Sequence, residues 1–234
     1  MTDPIRLASA ARFTEHPTLT HQLAAWNWLQ EQQAPAVMAQ FAELFRADPI
    51  PTKPPLVPNG RTLQVPYFSQ LDNQSGAGSR ECFSSSCAML AAFWGKVKTD
   101  DQYNAIRSKY GDTTSATAQI KALAALGLRP SFITNASVLT LINEIDQGRP
   151  VAVGWLHKGP IAAPAGGGHW STVIGYTATA LIHNDPFGEA DLLNGGYVRN
   201  HTGGRGVSYS RRNWLKRWET PNPGSGWAML CEPA

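Results

Sequence analysis

Only three of the 234 residues are cysteine, at 82, 87 and 231, and their spacing matches neither a CxxC redox pair nor a zinc knuckle. That scarcity excludes a disulfide framework and predicts synthesis in a reducing cytoplasm, so that action outside the cell would need another agent to release the protein. Long apolar runs are missing too. The longest, Cys87 to Trp94, falls far short of the roughly 20 residues that cross a bilayer, and Met1-Thr-Asp-Pro-Ile has no basic region leading into an apolar one. Neither a membrane span nor a secretory signal is expected. Charge is sparse at 16% and nets to +3, with basic residues grouped only briefly, as at Arg211, Arg212, Lys216 and Arg217. No nucleic-acid partner is expected, while weak attraction to an anionic polymer such as a cell wall remains open. No metal or other cofactor is called for.

What is present is a folding composition: 42% hydrophobic residues in a chain long enough for one domain with a core and a small appendage. Leu23, Trp26 and Leu29, then Val37, Met38, Phe41, Leu44 and Phe45, recur at helical spacing and predict a helical hairpin. Five prolines between Asp48 and Gly60 make the next stretch an extended linker. Residues 1–60 are therefore expected to form a helical module and linker, and 61–234 the main domain. In the latter, helices are predicted over 83–94, 100–110, 116–126 and 136–147, several ending at glycine. Strands are predicted over 151–156, 170–176, 180–184 and 226–231. Helices first and an antiparallel sheet last is an α+β arrangement.

Cys82 opens the first of these helices, where unpaired N–H groups favour a thiolate. It follows a polar run, Asp72 to Glu81, which suits a cleft; Cys87 and Cys231 read as small buried hydrophobes. A thiolate nucleophile needs a base and a group to orient it. His16, His21, His157 and His201 lie in sequence that suits a surface position. His169 follows Ala165-Gly-Gly-Gly at the start of a strand, and a hairpin folded about residue 177 would bring Asp185 opposite it and leave His183 opposite Ser171. His169 is thus the expected base and Asp185 its carboxylate, although Asn184-Asp-Pro-Phe-Gly also has the makings of a simple turn. Gln70 is the candidate side-chain amide for an oxyanion hole, with a solvated strand-end residue as its alternative. Gly167, Gly168 and Trp170, beside the base, are the candidates for contact with substrate.

The order Tyr67-Phe-Ser-Gln70, Asp72, Cys82 with Ser86 and Ala88-Met-Leu after it, Trp94-Gly95, Gly-His169-Trp and Asn184-Asp185-Pro-Phe-Gly resembles the bacteriocin-processing-type (double-glycine leader) cysteine peptidases. More narrowly it looks like their soluble phage and bacterial relatives, the endolysin-like branch of the papain-like superfamily. The resemblance spans about Leu63 to Cys231 and implies a papain-like fold with Cys82 as nucleophile, His169 as base, Asp185 as its partner and Gln70 in the oxyanion hole. It departs at Phe83-Ser84, where that family commonly has Gly-Pro. Peptidoglycan stem peptides are the substrate this branch implies. Leader processing beside a separate exporter, or a silent wall-binding module with tryptophans lining a groove, are the alternatives. If Cys82 is the nucleophile, Cys82→Ala abolishes hydrolysis with folding intact and Cys87→Ala stays active, as assays of both purified variants on one substrate would show.

Overall fold

The computed structural model describes residues 60–198 and 202–234; the expected helical hairpin, the proline-rich linker and His201 lie outside the described residues. The described chain runs β1 (Arg61–Thr62), α1 (Cys82–Phe93), α2 (Asp100–Arg107), α3 (Ala116–Ala125), β2 (Leu128–Ala136), α4 (Val138–Asp146), β3 (Val151–Trp155), β4 (His169–Tyr176), β5 (Ala180–Asn184), β6 (Val207–Ser210), α5 (Arg211–Trp218) and β7 (Gly226–Pro233). All seven strands join one antiparallel sheet in the order β2-β7-β3-β4-β5-β6, with β1 paired to the far end of β4. The α+β expectation holds.

Alternation along the central strands sends side chains to two cores. Val151, Val153 and Val173 meet Leu141 and Ile145 of α4 and Trp214 and Trp218 of α5. Ala152 and Trp170, one residue out of phase, meet Phe83, Leu90, Tyr103 and Leu123 of the first three helices. Covered on both faces, β4 is buried along its whole length. Helix α1 is buried from Phe83 to Ala91, so it carries no polar stripe. Two of its three serines are accommodated by hydrogen bonds instead: Ser84 Oγ lies 2.7 Å from Thr113 Oγ1 and accepts from Gln119 Nε2, and Ser85 Oγ donates to Asp100 Oδ2. Thr99 and Ser115 cap α2 and α3 by accepting from Gln102 and Ala118 N–H groups.

The pair β6–α5 is absent from the sequence-based expectation, and β2 falls where a single strand between two helices is expected without definite bounds. Pro130 argues against a strand, yet β2 is an edge strand, bonded only to β7, which is where a missing N–H is tolerated. Arg217, one of the briefly grouped basic residues, is not at the surface. Buried at 1% exposure, it donates to the carbonyls of Leu156, Lys158, Gly159 and Leu192 and so ties two loops together. Gly154 lies flat against the Trp170 indole: a Cβ there would sit 2.8 Å from two ring carbons. Gly154→Ala should therefore destabilise the domain by about 1–3 kcal/mol, as overpacking does, and urea unfolding should show a lower midpoint with unchanged slope.

Candidate active site

His169 is the first residue of β4 and is 3% exposed. Its Nε2 lies 2.7 Å from Oδ1 of Asp185, which is wholly buried. The hairpin register that places Asp185 there differs from the simple fold about residue 177. Val173 pairs with His183 and Thr172 with Asn184, and a bulge between Val173 and Gly175 shifts the remainder by one. Asp185 thus lies just past the paired segment, displaced from the position opposite His169, and its side chain spans the offset. His183, expected opposite Ser171, instead pairs with Val173 and hydrogen-bonds the Ser171 hydroxyl diagonally at 3.0 Å through Nδ1.

The buried carboxylate is surrounded by donors. Oδ1 also accepts from the Phe187 N–H at 3.0 Å, and Oδ2 accepts from the Tyr209 hydroxyl at 2.9 Å. The Asp185 backbone is held as firmly, its N–H donating to Gly204 O and its carbonyl accepting from Tyr67 Oη. Cys82 lies near enough to His169 to act on the charge of its ring. With Nε2 committed to Asp185, Nδ1 is the nitrogen left for a further partner. Burial disfavours the imidazolium, but the Asp185 charge and hydrogen bond, with Cys82, outweigh it and raise the His169 pKa to about 10.

Cys82 is half-buried at the first turn of α1, whereas Cys87 and Cys231 are buried. Burial pushes the Cys87 thiol well above its ordinary range and that of Cys231 to about 12, which makes both poor nucleophiles. Gln70 is buried; its Nε2 donates to Gly78 O at 2.6 Å and its N–H donates to Pro186 O, next to Asp185. Gly166 and Gly168 have positive φ, and side chains at Gly167 and Gly168 would meet nothing within 4 Å, so the lip before His169 is open. Trp170 is mostly packing: 9% exposed, it stacks on Phe83 with ring centroids 3.6 Å apart.

Most ring neighbours of His169 carry no mark in the sequence, Phe187 of the Asn184-Asp-Pro-Phe-Gly motif excepted. The rings of Trp155, His157, Tyr197 and Phe187 surround His169 at centroid distances of 5.3, 5.5, 5.7 and 6.4 Å. His157 is therefore half-buried beside His169, where its loop sequence suggests a surface position. Burial and the adjoining His169 hold its pKa down at about 4, so it stays neutral beside the imidazolium. Burial likewise holds His183 down, to about 3. Their signal in sequence is weak, because a lone histidine or tyrosine in a loop shows its neighbours only once the fold is formed. Among the described residues there is no group of three or more His, Cys, Asp or Glu able to hold a metal ion, and no helix long and apolar enough to cross a membrane.

The sign of the His169 shift fixes a pH dependence. Between pH 6.5, the ordinary value, and about 10, the folded chain keeps a proton that the unfolded chain has lost. This contribution to stability is complete below pH 6.5 and is lost as pH rises toward 10. Urea unfolding of the unchanged protein should show it, and His169→Gln should flatten that part of the profile; an unaltered slope in the variant would contradict the assignment.

Residues 62–219 match the Peptidase_C39 like family. Among solved structures, a C39-like peptidase from Bacillus anthracis aligns over 75% of this chain and 98% of its own, with 15% identity and a TM-score of 0.52, a likeness of fold. The peptidase domain of Streptococcus ComA, a bi-functional ABC transporter, aligns over 72% of this chain and 98% of its own at 20% identity and a TM-score of 0.48. Digestive procathepsin L 3 of Tenebrio molitor larval midgut aligns over 79% and 71% at 14% identity and a TM-score of 0.45. No curated protein matches. With two thirds of its length matched to the family, the chain belongs to the Peptidase_C39 like family of cysteine peptidases.

Proposed function

We propose that Cys82, His169 and Asp185 act as a catalytic triad that hydrolyses amide bonds in the peptide portion of peptidoglycan. The observation that carries the triad is the 2.7 Å bond between the His169 imidazole and the buried Asp185, with Cys82 near enough to act on the charge of the same ring. In this reading the Cys82 sulfur attacks the scissile carbonyl carbon while the Gln70 amide and the backbone N–H at Cys82 stabilise the oxyanion. His169 then passes its proton to the leaving amine, and a thioester remains on Cys82. Water, deprotonated by His169, releases the acyl group and restores the thiol. Asp185 orients the ring and supports its charge throughout.

Two features favour a cell-wall peptide. The open backbone at Gly167 and Gly168 offers room for a branched or D-configured chain to approach beside His169. The net charge of +3 suits an anionic polymer. Residues 1–60 are proposed as a separate helical module and linker, available for docking to the wall.

Digestion of purified sacculi should release new amino groups without new reducing ends. Shortened stem peptides or opened cross-bridges in mass spectra are the expected products. Free lactyl groups would mean an amidase, and intact sacculi would sink the wall assignment. A double glycine motif protease from an AMS/PCAT transporter has been crystallised in complex with the leader peptide. Cleavage of such a leader with sacculi left intact would put leader processing in the wall's place. Asp185→Asn should lower turnover without abolishing it, since an amide still orients the ring, whereas His169→Ala should match Cys82→Ala in inactivity.

A further inference from the structure

The run from Asp72 to Glu81 reads in sequence as a polar, pliant approach to the nucleophile. In the fold it is pinned from within by a carboxylate. Glu81 immediately precedes Cys82 and is 1% exposed. Its Oε2 accepts from Asn73 Nδ2 at 2.7 Å and from Ser75 Oγ at 2.8 Å, and its Oε1 lies 3.7 Å from Arg107 Nη2. Arg107 is itself buried on α2 and held by Gly111 O and Asn104 Oδ1. Asn73 reaches further, to Ser85 Oγ on the nucleophile's own helix. A carboxylate buried here without partners would be strongly destabilising, so the guanidinium and the two donors together define one geometry for the loop.

That geometry converges on Gly78. Its carbonyl accepts from the Glu81 N–H at 3.2 Å and from Gln70 Nε2 at 2.6 Å. Gly78 lies so close to the turn at Gln70 that a Cβ there would stand 2.3 Å from the Gln70 carbonyl oxygen. One amide N–H of Gln70 is thereby fixed on Gly78, which sets the direction of the second. The Glu81 carbonyl accepts from the Ser85 N–H, closing the first turn of the helix that carries Cys82.

We propose that Glu81, held by Arg107, is a positioning residue: it locks the 73–81 loop so that Gly78 aims the Gln70 amide and the first turn aims the Cys82 N–H at one oxyanion. The inference rests on the triad reading given above and adds to it the device that pre-orients the two oxyanion donors. Such donors stabilise a transition state only when fixed in advance, so loosening them lowers oxyanion binding and leaves the sulfur as available as before.

The full chain tests this with two probes. Iodoacetamide alkylates the Cys82 sulfur, with iodide leaving, and forms no oxyanion. N-acetylglycinal adds its carbonyl carbon to the same sulfur: an S–C bond forms, the carbonyl π pair moves to oxygen, and the thiol proton passes through His169 to that oxygen, giving a hemithioacetal. In Glu81→Gln the alkylation rate should stay close to that of the unchanged protein, while the aldehyde binds about tenfold more weakly, the size of one well-placed hydrogen bond. Gly78→Ala, which displaces the carbonyl and leaves the Glu81–Arg107 pair in place, should weaken the aldehyde in the same way and carries the test if Glu81→Gln fails to fold. Unchanged aldehyde affinity in the folded variants, or equal losses with both probes, would overturn the proposal. If the unchanged protein is not alkylated at Cys82, it is the triad reading that fails.

Discussion

A carboxylate taken fully out of water costs several kcal/mol unless donors replace its hydration, and Asp185 sits at that limit, with no exposed surface. Three donors meet it: the His169 ring, the Phe187 N–H and the Tyr209 hydroxyl. Each comes from a different segment, so the site forms only when β4, the turn after β5, and β6 are all in place. Tyr209 in turn accepts from the Ala190 N–H, and burial beside the carboxylate holds its hydroxyl protonated. The one short bond between Asp185 and His169 is thus supported by much of the sheet, and it accounts for a proton retained on an imidazole inside a dry site.

Cys82 and His169, the proposed nucleophile and base, ride on elements of opposite character. Cys82 begins a helix buried on every side, while His169 begins a strand buried along its length. Phe83 and Trp170, each the next residue along, stack on one another at 3.6 Å. That contact registers helix against sheet one residue from the chemistry, and the bare backbone of Gly154 leaves the indole its room. An aromatic joint thus ties the helix that carries Cys82 to the strand that carries His169.

The main outline is legible in sequence because the strongest signals are local. The glycine after each of several helices, the short apolar run of β5 and the isolation of Cys82 from any metal spacing all depend on near neighbours. Where longer contacts decide, sequence is silent. The bulge at Val173–Gly175 shifts the hairpin, yet His169 and Asp185 still meet, since a side chain spans an offset that backbone pairing does not. His157 and Arg217 look like surface residues because nothing near them in sequence shows the loops that bury them. Pro130 hides β2 because edge position is a property of the sheet and not of the segment. Glu81 looks solvated because its counter-ion, Arg107, is a helix away.

A substrate-independent acyl transfer tests the central claim most directly. The protein would be mixed with p-nitrophenyl acetate, quenched in acid, digested and mapped by mass spectrometry. The account predicts release of p-nitrophenol and a single acetyl group on the peptide carrying Cys82, absent from Cys82→Ala and from His169→Ala treated alongside. Acetylation at Cys87 or Cys231, or an adduct on Cys82 that forms equally fast without His169, would contradict it.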